Sequence, residues 1–220
     1  YQYLDQNKEA EERIYEGETP GVSYGDIAER YYTVGQYMKE VKDVSKAMAA
    51  AGDSYICDEY LNAMGSPEAE SVYVLHDLNN DGIEEFFIGL KFNYDIPYYV
   101  IYDVYTWKDG RAYQLMRGIG YRNGSCKICE NGVIEDNYSG SAWDGQTLYH
   151  ILPEGGIELE TIDSVSSRRD GTVQSYYHWN ELIDENSLQT ILEQYQPESV
   201  TYVDCNRETI EQLRLSGIRK

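Results

Sequence analysis

Between residues 81 and 171 the chain carries seven two-residue turn signals: Asp81-Gly82, Asp109-Gly110, Asn123-Gly124, Asn131-Gly132, Asp144-Gly145, Gly155-Gly156 and Asp170-Gly171. Tight hairpin turns need positive φ at their central residues, which Asn, Asp and Gly adopt with the least steric cost. Between the signals lie short β-rich runs holding Val72, Val74, Phe86, Ile88, Tyr98, Val100, Tyr102, Val104, Val133, Leu148, Ile151, Leu159 and Ile162. Alternating runs broken by hairpin turns predict an antiparallel β-meander over 71–178. The turn spacings are too uneven for a repeat array or a full propeller.

The segments on either side follow a helical period. Ser23 or Asp26 caps an expected helix toward Ala51, with Ile27, Tyr31, Val34, Met38, Val41, Val44 and Met48 as its core stripe and Gly52 as its end. A second helix is expected from Tyr55 to Met64, stopped by Gly65-Ser66-Pro67. After Trp179, Leu182, Leu188, Ile191, Leu192 and Tyr195 predict another helix, closed by Gln196-Pro197. A strand over Ser199 to Val203 and a last helix from Arg207 to Leu215, capped by Asn206, complete the chain. The expected fold is therefore α+β: N-terminal helices, a central antiparallel β-meander sheet and a C-terminal helix-strand-helix. We expect a single domain over 1–220, divided into an acidic arm with a short helix (1–22), a helical part (23–66), the meander (71–178) and a C-terminal α/β part (179–220).

Among the 220 residues, 39 Asp and Glu stand against 18 Lys and Arg, a net charge of −21. That field repels nucleic acid and anionic membranes, so neither is expected as a partner. No apolar run is long enough to span a bilayer. The chain opens at Tyr1 without a Met, which leads us to expect a mature or trimmed form whose targeting segment lies upstream. Tyrosine is abundant, 23 residues against three Phe and three Trp. It suits half-exposed sheets and ligand-facing surfaces, because the ring packs while the hydroxyl stays at the wet edge.

One motif carries chemistry. Asp77-Leu78-Asn79-Asn80-Asp81-Gly82-Ile83-Glu84-Glu85 reads D-x-N-x-D-G-x-x-E. Oxygen donors at positions one, three, five and nine, a carbonyl at seven and a turn glycine at six are what a hard divalent cation needs. The expected ligands are Asp77, Asn79, Asp81, the Ile83 carbonyl and Glu85, with Ca2+ as a structural ion: a closed oxygen shell leaves no position open for substrate. A complete EF-hand would carry Glu at position twelve, where this chain has Ile88. The flanks Ser71 to Leu75 and Phe86 to Leu90 are β-forming, so the loop joins two strands.

This stretch resembles the strand-loop-strand calcium motif of FG-GAP (integrin-type) repeats. Tyr73 through Phe87, with Val104 through Gly110, is more similar still to a group of secreted or lipid-anchored proteins of Gram-positive gut bacteria. In those, a helical part leads into one such hairpin and then a meander. The resemblance implies an extracellular or cell-surface location, with any lipid anchor upstream of the chain, and this layout of fold. It implies no activity.

The remaining constellations are weaker. Cys126 and Cys129 have zinc or redox spacing but lie three apart in an expected strand, facing opposite sides. With Cys57 and Cys205 they are read as buried thiols or one or two disulfides. His76, His150 and His178 are read as structural; no G-x-S-x-G elbow, H-E-x-x-H pair or phosphate-binding loop accompanies them, and Gly140-Ser141-Ala142 lacks a nucleophile's partners. Thirty-nine acids make some close carboxylate pair inevitable, so pairing alone does not argue for glycoside hydrolysis.

Two functions follow as expectations. The first is a non-catalytic extracellular module binding a glycan, peptide or protein partner through Tyr98, Tyr99, Tyr102, Tyr105, Trp107, Trp143, Tyr176, Tyr177 and Trp179, weighed against ordinary cross-strand packing of the same rings. The alternative is a hydrolase of cell-surface polymers.

Overall fold

The computed structural model describes residues 14–18, 23–51, 56–120, 126–139, 143–152, 157–166, 173–179 and 181–216. Helix α1 (Tyr24–Val41) starts where the sequence says it should: Ser23 is the N-cap, and its side chain and that of Asp26 form a reciprocal capping box. Ile27, Tyr31, Val34 and Met38 are buried along it, whereas Val41 is exposed. The helix does not run on to Ala51. Lys42 takes a left-handed conformation (φ 52°) and its N–H bonds the Met38 carbonyl, ending the helix. Asp43 then accepts the Lys46 N–H at 3.1 Å and opens a separate helix, α2 (Val44–Ala51). Helix α3 (Asp58–Met64) is capped by the Cys57 sulfur, which accepts the Tyr60 N–H.

Among the described residues the strands form two six-stranded antiparallel sheets rather than one meander. The first is ordered β1-β5-β4-β3-β2-β12, from β1 (Ile14–Glu18), β2 (Ala69–His76), β3 (Glu85–Phe92), β4 (Tyr98–Lys108), β5 (Arg111–Arg117) and β12 (Val203–Asp204). The second runs in sequence order, from β6 (Cys126–Cys129) through β7 (Val133–Ser139), β8 (Trp143–Ile151), β9 (Ile157–Ser166) and β10 (Val173–His178) to β11 (Glu181–Ile183). The short helix expected in the acidic arm lies outside the described residues except at 14–18, which form an edge strand on β5. The C-terminal part holds α4 (Glu185–Leu192), β12 on Tyr73 and Val72 of β2, and α5 (Arg207–Ser216), where the Asn206 side chain caps the Glu208 and Thr209 amides as expected. The chain is thus α+β, with the helix-rich N-terminus, antiparallel strands and C-terminal helix-strand-helix read from the sequence.

The turn signals divide. Asp109-Gly110 and Asn131-Gly132 have positive φ at both residues, and Asn80 and Gly82 do so in the β2–β3 loop. Asp144-Gly145 is no turn: it lies within β8, paired with Ser164 and Asp163 of β9. Asn123-Gly124, Gly155-Gly156 and Asp170-Gly171 lie outside the described residues.

The chain divides into two compact units. One comprises Arg13–Asp77, Asp81–Ile119 and Val200–Lys220; the other includes Leu78–Asn80 and Gly120–Ser199. The change of unit falls inside the stretch expected as a single meander. In the first unit Ile27, Tyr31, Tyr60, Leu61, Ile210 and Leu213 from α1, α3 and α5 share a core with Tyr73, Phe86, Ile88 and Leu90 of the sheet. In the second, Leu188, Ile191, Leu192 and Tyr195 lie against Cys129, Val133, Leu148 and Ile162. Among the described residues no helix is long and apolar enough to cross a membrane.

Candidate functional site

The β2–β3 loop folds around its first aspartate. Asp77 accepts the Asp81 N–H at Oδ1 (3.1 Å) and the Gly82 N–H at Oδ2 (3.0 Å), and Asp81 Oδ1 accepts the Ile83 N–H at 2.7 Å. Left-handed Asn80 and Gly82 turn the backbone so that these amides point inward. An ionised carboxylate has about four lone-pair sites, so these bonds leave Asp77 and Asp81 capacity for a cation. The nitrogen end of the Asn79 amide is engaged with the Leu152 carbonyl at 3.2 Å. Glu85 departs most from the expected ligand set. It lies in β3 opposite His76, is 1% exposed, and accepts the Thr106 hydroxyl at 3.0 Å. Among the described residues no three His, Cys, Asp or Glu side chains are gathered as around a metal. An ion in this loop would draw on Asp77, Asp81, Asn79 and the Ile83 carbonyl, and Glu85 would have to turn from Thr106 to join them. The negative field at this end of β3 is visible at Tyr24, whose hydroxyl donates to the Glu84 carbonyl: burial first, then Glu85, Glu84 and Asp81, push its phenol well above the usual range.

At the other end of β3 the chain exposes aromatic rings. Phe92 stacks on Tyr98 (4.8 Å, 16°), Tyr94 lies parallel to both (6.3 Å from Phe92, 5.9 Å from Tyr98), and Ile96 between them in sequence is 83% exposed. Tyr94 and Tyr98 are each about half exposed, 51% and 47%. The Tyr and Trp residues singled out by sequence do not form one surface. Tyr102 and Tyr105 are core residues, Trp107 is half-buried against that core, Tyr99 stacks on Tyr202 at 4.0 Å, and Trp143's side chain lies outside the described residues. Only Tyr98 belongs to the exposed stack. Its partner Tyr94 was legible: bulky residues in Asn93-Tyr94-Asp95-Ile96-Pro97, a turn with no face to bury, must meet water.

The second sheet holds a polar cluster that the sequence reading missed. Glu160, 8% exposed, accepts three bonds: His178 Nε2 at Oε1 (2.6 Å), and His150 Nε2 (2.9 Å) and the Tyr195 hydroxyl (2.6 Å) at Oε2. Burial opposes its charge, but the bonds from His150, Tyr195 and His178 outweigh it and hold the carboxyl at about 2. Ionised Glu160 can only accept, so both Nε2 atoms carry protons. The two histidines read as structural are thus a matched pair on one carboxylate. On the same face Glu135 is buried and holds Lys127 Nζ at 2.7 Å.

A third network is wholly internal. Tyr31 donates to Asp103 Oδ2 at 2.6 Å and Gly118 N–H to Oδ1 at 2.9 Å; Tyr105 therefore donates to Tyr31 (2.8 Å) and accepts from Gln114 Nε2 (3.1 Å). Burial lifts Asp103 to about 6 against these bonds.

No known family, curated protein or solved structure matches this chain. Chemistry must be read from these groups alone. All four cysteines are buried and unbridged. Burial pushes Cys129 up to about 11 and Cys205 up to about 12, far from thiolate reactivity at neutral pH.

Proposed function

We propose that this chain is a non-catalytic, calcium-stabilised extracellular module that binds a glycan at a cell surface through the Tyr94 and Tyr98 rings. The observation that carries this reading is the parallel stack at the β3–β4 tip, with Tyr94 and Tyr98 about half exposed. Flat rings match the apolar faces of pyranoses, and the phenol hydroxyls at their edges can exchange hydrogen bonds with sugar hydroxyls. A neutral or amino sugar fits a chain of net charge −21 better than a polyanion does. The wrapped Asp77 loop sits at the far end of the same strand, where an ion would fix the hairpin that carries the rings.

The hydrolase alternative needs a carboxyl that keeps its proton at neutral pH. Glu160, which accepts from two imidazoles and a phenol, is held ionised down to about pH 2, and Asp103, raised to about 6, is fully buried, out of reach of a polymer. A screen of cell-wall and host glycans, run beside a hydrolysis assay on the same polymers, tests the proposal. We expect binding without turnover, with Tyr94→Ala plus Tyr98→Ala lowering affinity at least about tenfold, since base-like or sugar-like stacking on one ring contributes about 1 kcal/mol or more. Turnover, or binding indifferent to these two rings, would overturn it.

A further inference from the structure

The polar side chains around Glu135 on the second sheet are used neither by the glycan reading nor by the Glu160 cluster. Lys127 of β6 is directly opposite Glu135 of β7, and Asn137, two positions further along β7, shares that face. Diagonal neighbours on antiparallel strands lie about 7–8 Å apart, a span that a lysine side chain bridges. Glu135 is 5% exposed, and one of its oxygens, Oε1, accepts from both residues: from Lys127 Nζ at 2.7 Å and from Asn137 Nδ2 at 2.5 Å. The surroundings are apolar, since buried Leu148 is opposite Glu135 in β8 and buried Val133 precedes it on the same face.

A cross-strand ion pair needs only the first of these contacts. The second sets a carboxamide beside a lysine amine with one carboxylate oxygen touching both nitrogens, which is the arrangement amide exchange requires: amine as nucleophile, amide nitrogen as leaving group. We infer that Lys127 and Asn137 become joined by an intramolecular amide bond, with Glu135 carrying the proton between them. Starting from the ammonium and the carboxylate of the ion pair, Glu135 Oε1 takes a proton from Nζ. The freed amine attacks Asn137 Cγ, and the Nζ–Cγ bond forms. Glu135 then returns its proton to Nδ2, and the Cγ–Nδ2 bond breaks. The departing ammonia takes up the second Nζ proton and leaves as ammonium. No oxidant, reductant or cofactor is consumed. Because one oxygen faces both nitrogens, a single atom serves as general base and then as general acid. Fixing the two groups on one sheet face supplies the effective concentration that an otherwise slow exchange needs. The Lys127 side chain is 43% exposed, so the leaving group has a route to water. The product ties β6, four residues long and last in the order of its sheet, covalently to β7. Gln146, opposite Asn137 in β8, is the competing carboxamide, but its Nε2 lies further from the same oxygen, at 3.4 Å.

The test is the intact mass of the purified full chain, unfolded and reduced before measurement. The wild type is expected one ammonia below the mass of its sequence. A digest with trypsin and a glutamyl endopeptidase should then yield peptides joined between Lys127 and Asn137, with trypsin unable to cut after the acylated Lys127. Lys127→Arg keeps a positive charge on Glu135 but has no amine to acylate, and Glu135→Gln removes the proton carrier. Both variants, with circular dichroism confirming that they fold, are expected at their full sequence masses. A wild type at its full sequence mass would overturn the inference. So would loss of ammonia without the joined peptides, as from an asparagine that cyclises elsewhere, joining through Gln146 instead of Asn137, or the same loss in either variant. Glycan binding by Tyr94 and Tyr98 needs no such bond, so neither result decides the other.

Discussion

Two buried carboxylates show how neighbours decide what one residue type does. Asp103 is raised to about 6 because burial outweighs its two donors, whereas Glu160 falls to about 2 because three donors outweigh burial. The linkage signs are opposite. For Asp103 the folded state holds the proton more tightly than the unfolded chain does, so its contribution is full below about 3.8 and is lost as pH rises through about 6. Urea unfolding of the wild type and Asp103→Asn at pH 4 and pH 7 should show the wild type losing about 2 kcal/mol relative to the variant across that interval; parallel curves would refute the assignment. Glu160 stabilises above about 4.5, and its contribution disappears as pH falls through about 2. Glu160→Gln should therefore cost about 2 kcal/mol at pH 7 and much less near pH 2. The sequence displayed His150 and His178 but gave no means of linking them to Glu160, which lies 10 and 18 positions away. Their meeting depends on the register of three strands.

Elements follow local rules except where a strand is crowded. The Ser23 box and the Asn206 cap are local chemistry and appear where the sequence puts them. The break at Lys42 is local too. Asp43 with Lys46 three residues later is a start signal that the continuous apolar stripe from Ile27 to Met48 obscured. Gly89 is different. It sits at the β3–β4 irregularity, where an added Cβ would lie 2.1 Å from the Val100 carbonyl oxygen. Backbone cannot yield as a flexible side chain can, so Gly89→Ala should lower stability by about 3 kcal/mol. A thermal melt within a degree or two of wild type would contradict this. At Gly25 the nearest atom is the Arg214 Cγ at 2.3 Å, the stem of a long side chain, though the Arg214 backbone also lies within 3.1 Å. Asp144-Gly145 shows the converse limit: a strong turn dipeptide was overridden by pairing on both sides, with β7 and β9.

For the molecule as a whole, a charge of −21 sets a background repulsion that monovalent salt should screen, raising Tm modestly. Calcium should add to this at matched ionic strength. At the affinities of extracellular modules, about 10⁻⁴–10⁻³ M, about 1 mM calcium would stabilise by about 0.4–1.4 kcal/mol. Asp77→Ala plus Asp81→Ala is itself expected to destabilise, since both carboxylates hold backbone amides. The decisive reading is therefore the calcium increment, which should vanish in the variant. An increment no greater than that of sodium in the wild type would remove the ion from the proposal. By itself the sequence determined the α+β class, the Ser23 and Asn206 caps and the strand character of the loop's flanks, because each depends on dihedral preferences and hydrogen bonds within a few residues. Only the tertiary structure decided that the strands make two sheets, that Glu85 turns to Thr106, that most tyrosines are core, and that His150, Glu160, His178 and Tyr195 meet. Those outcomes depend on strand register and burial among residues distant in the chain, where a shift of one position moves every side chain to the opposite face.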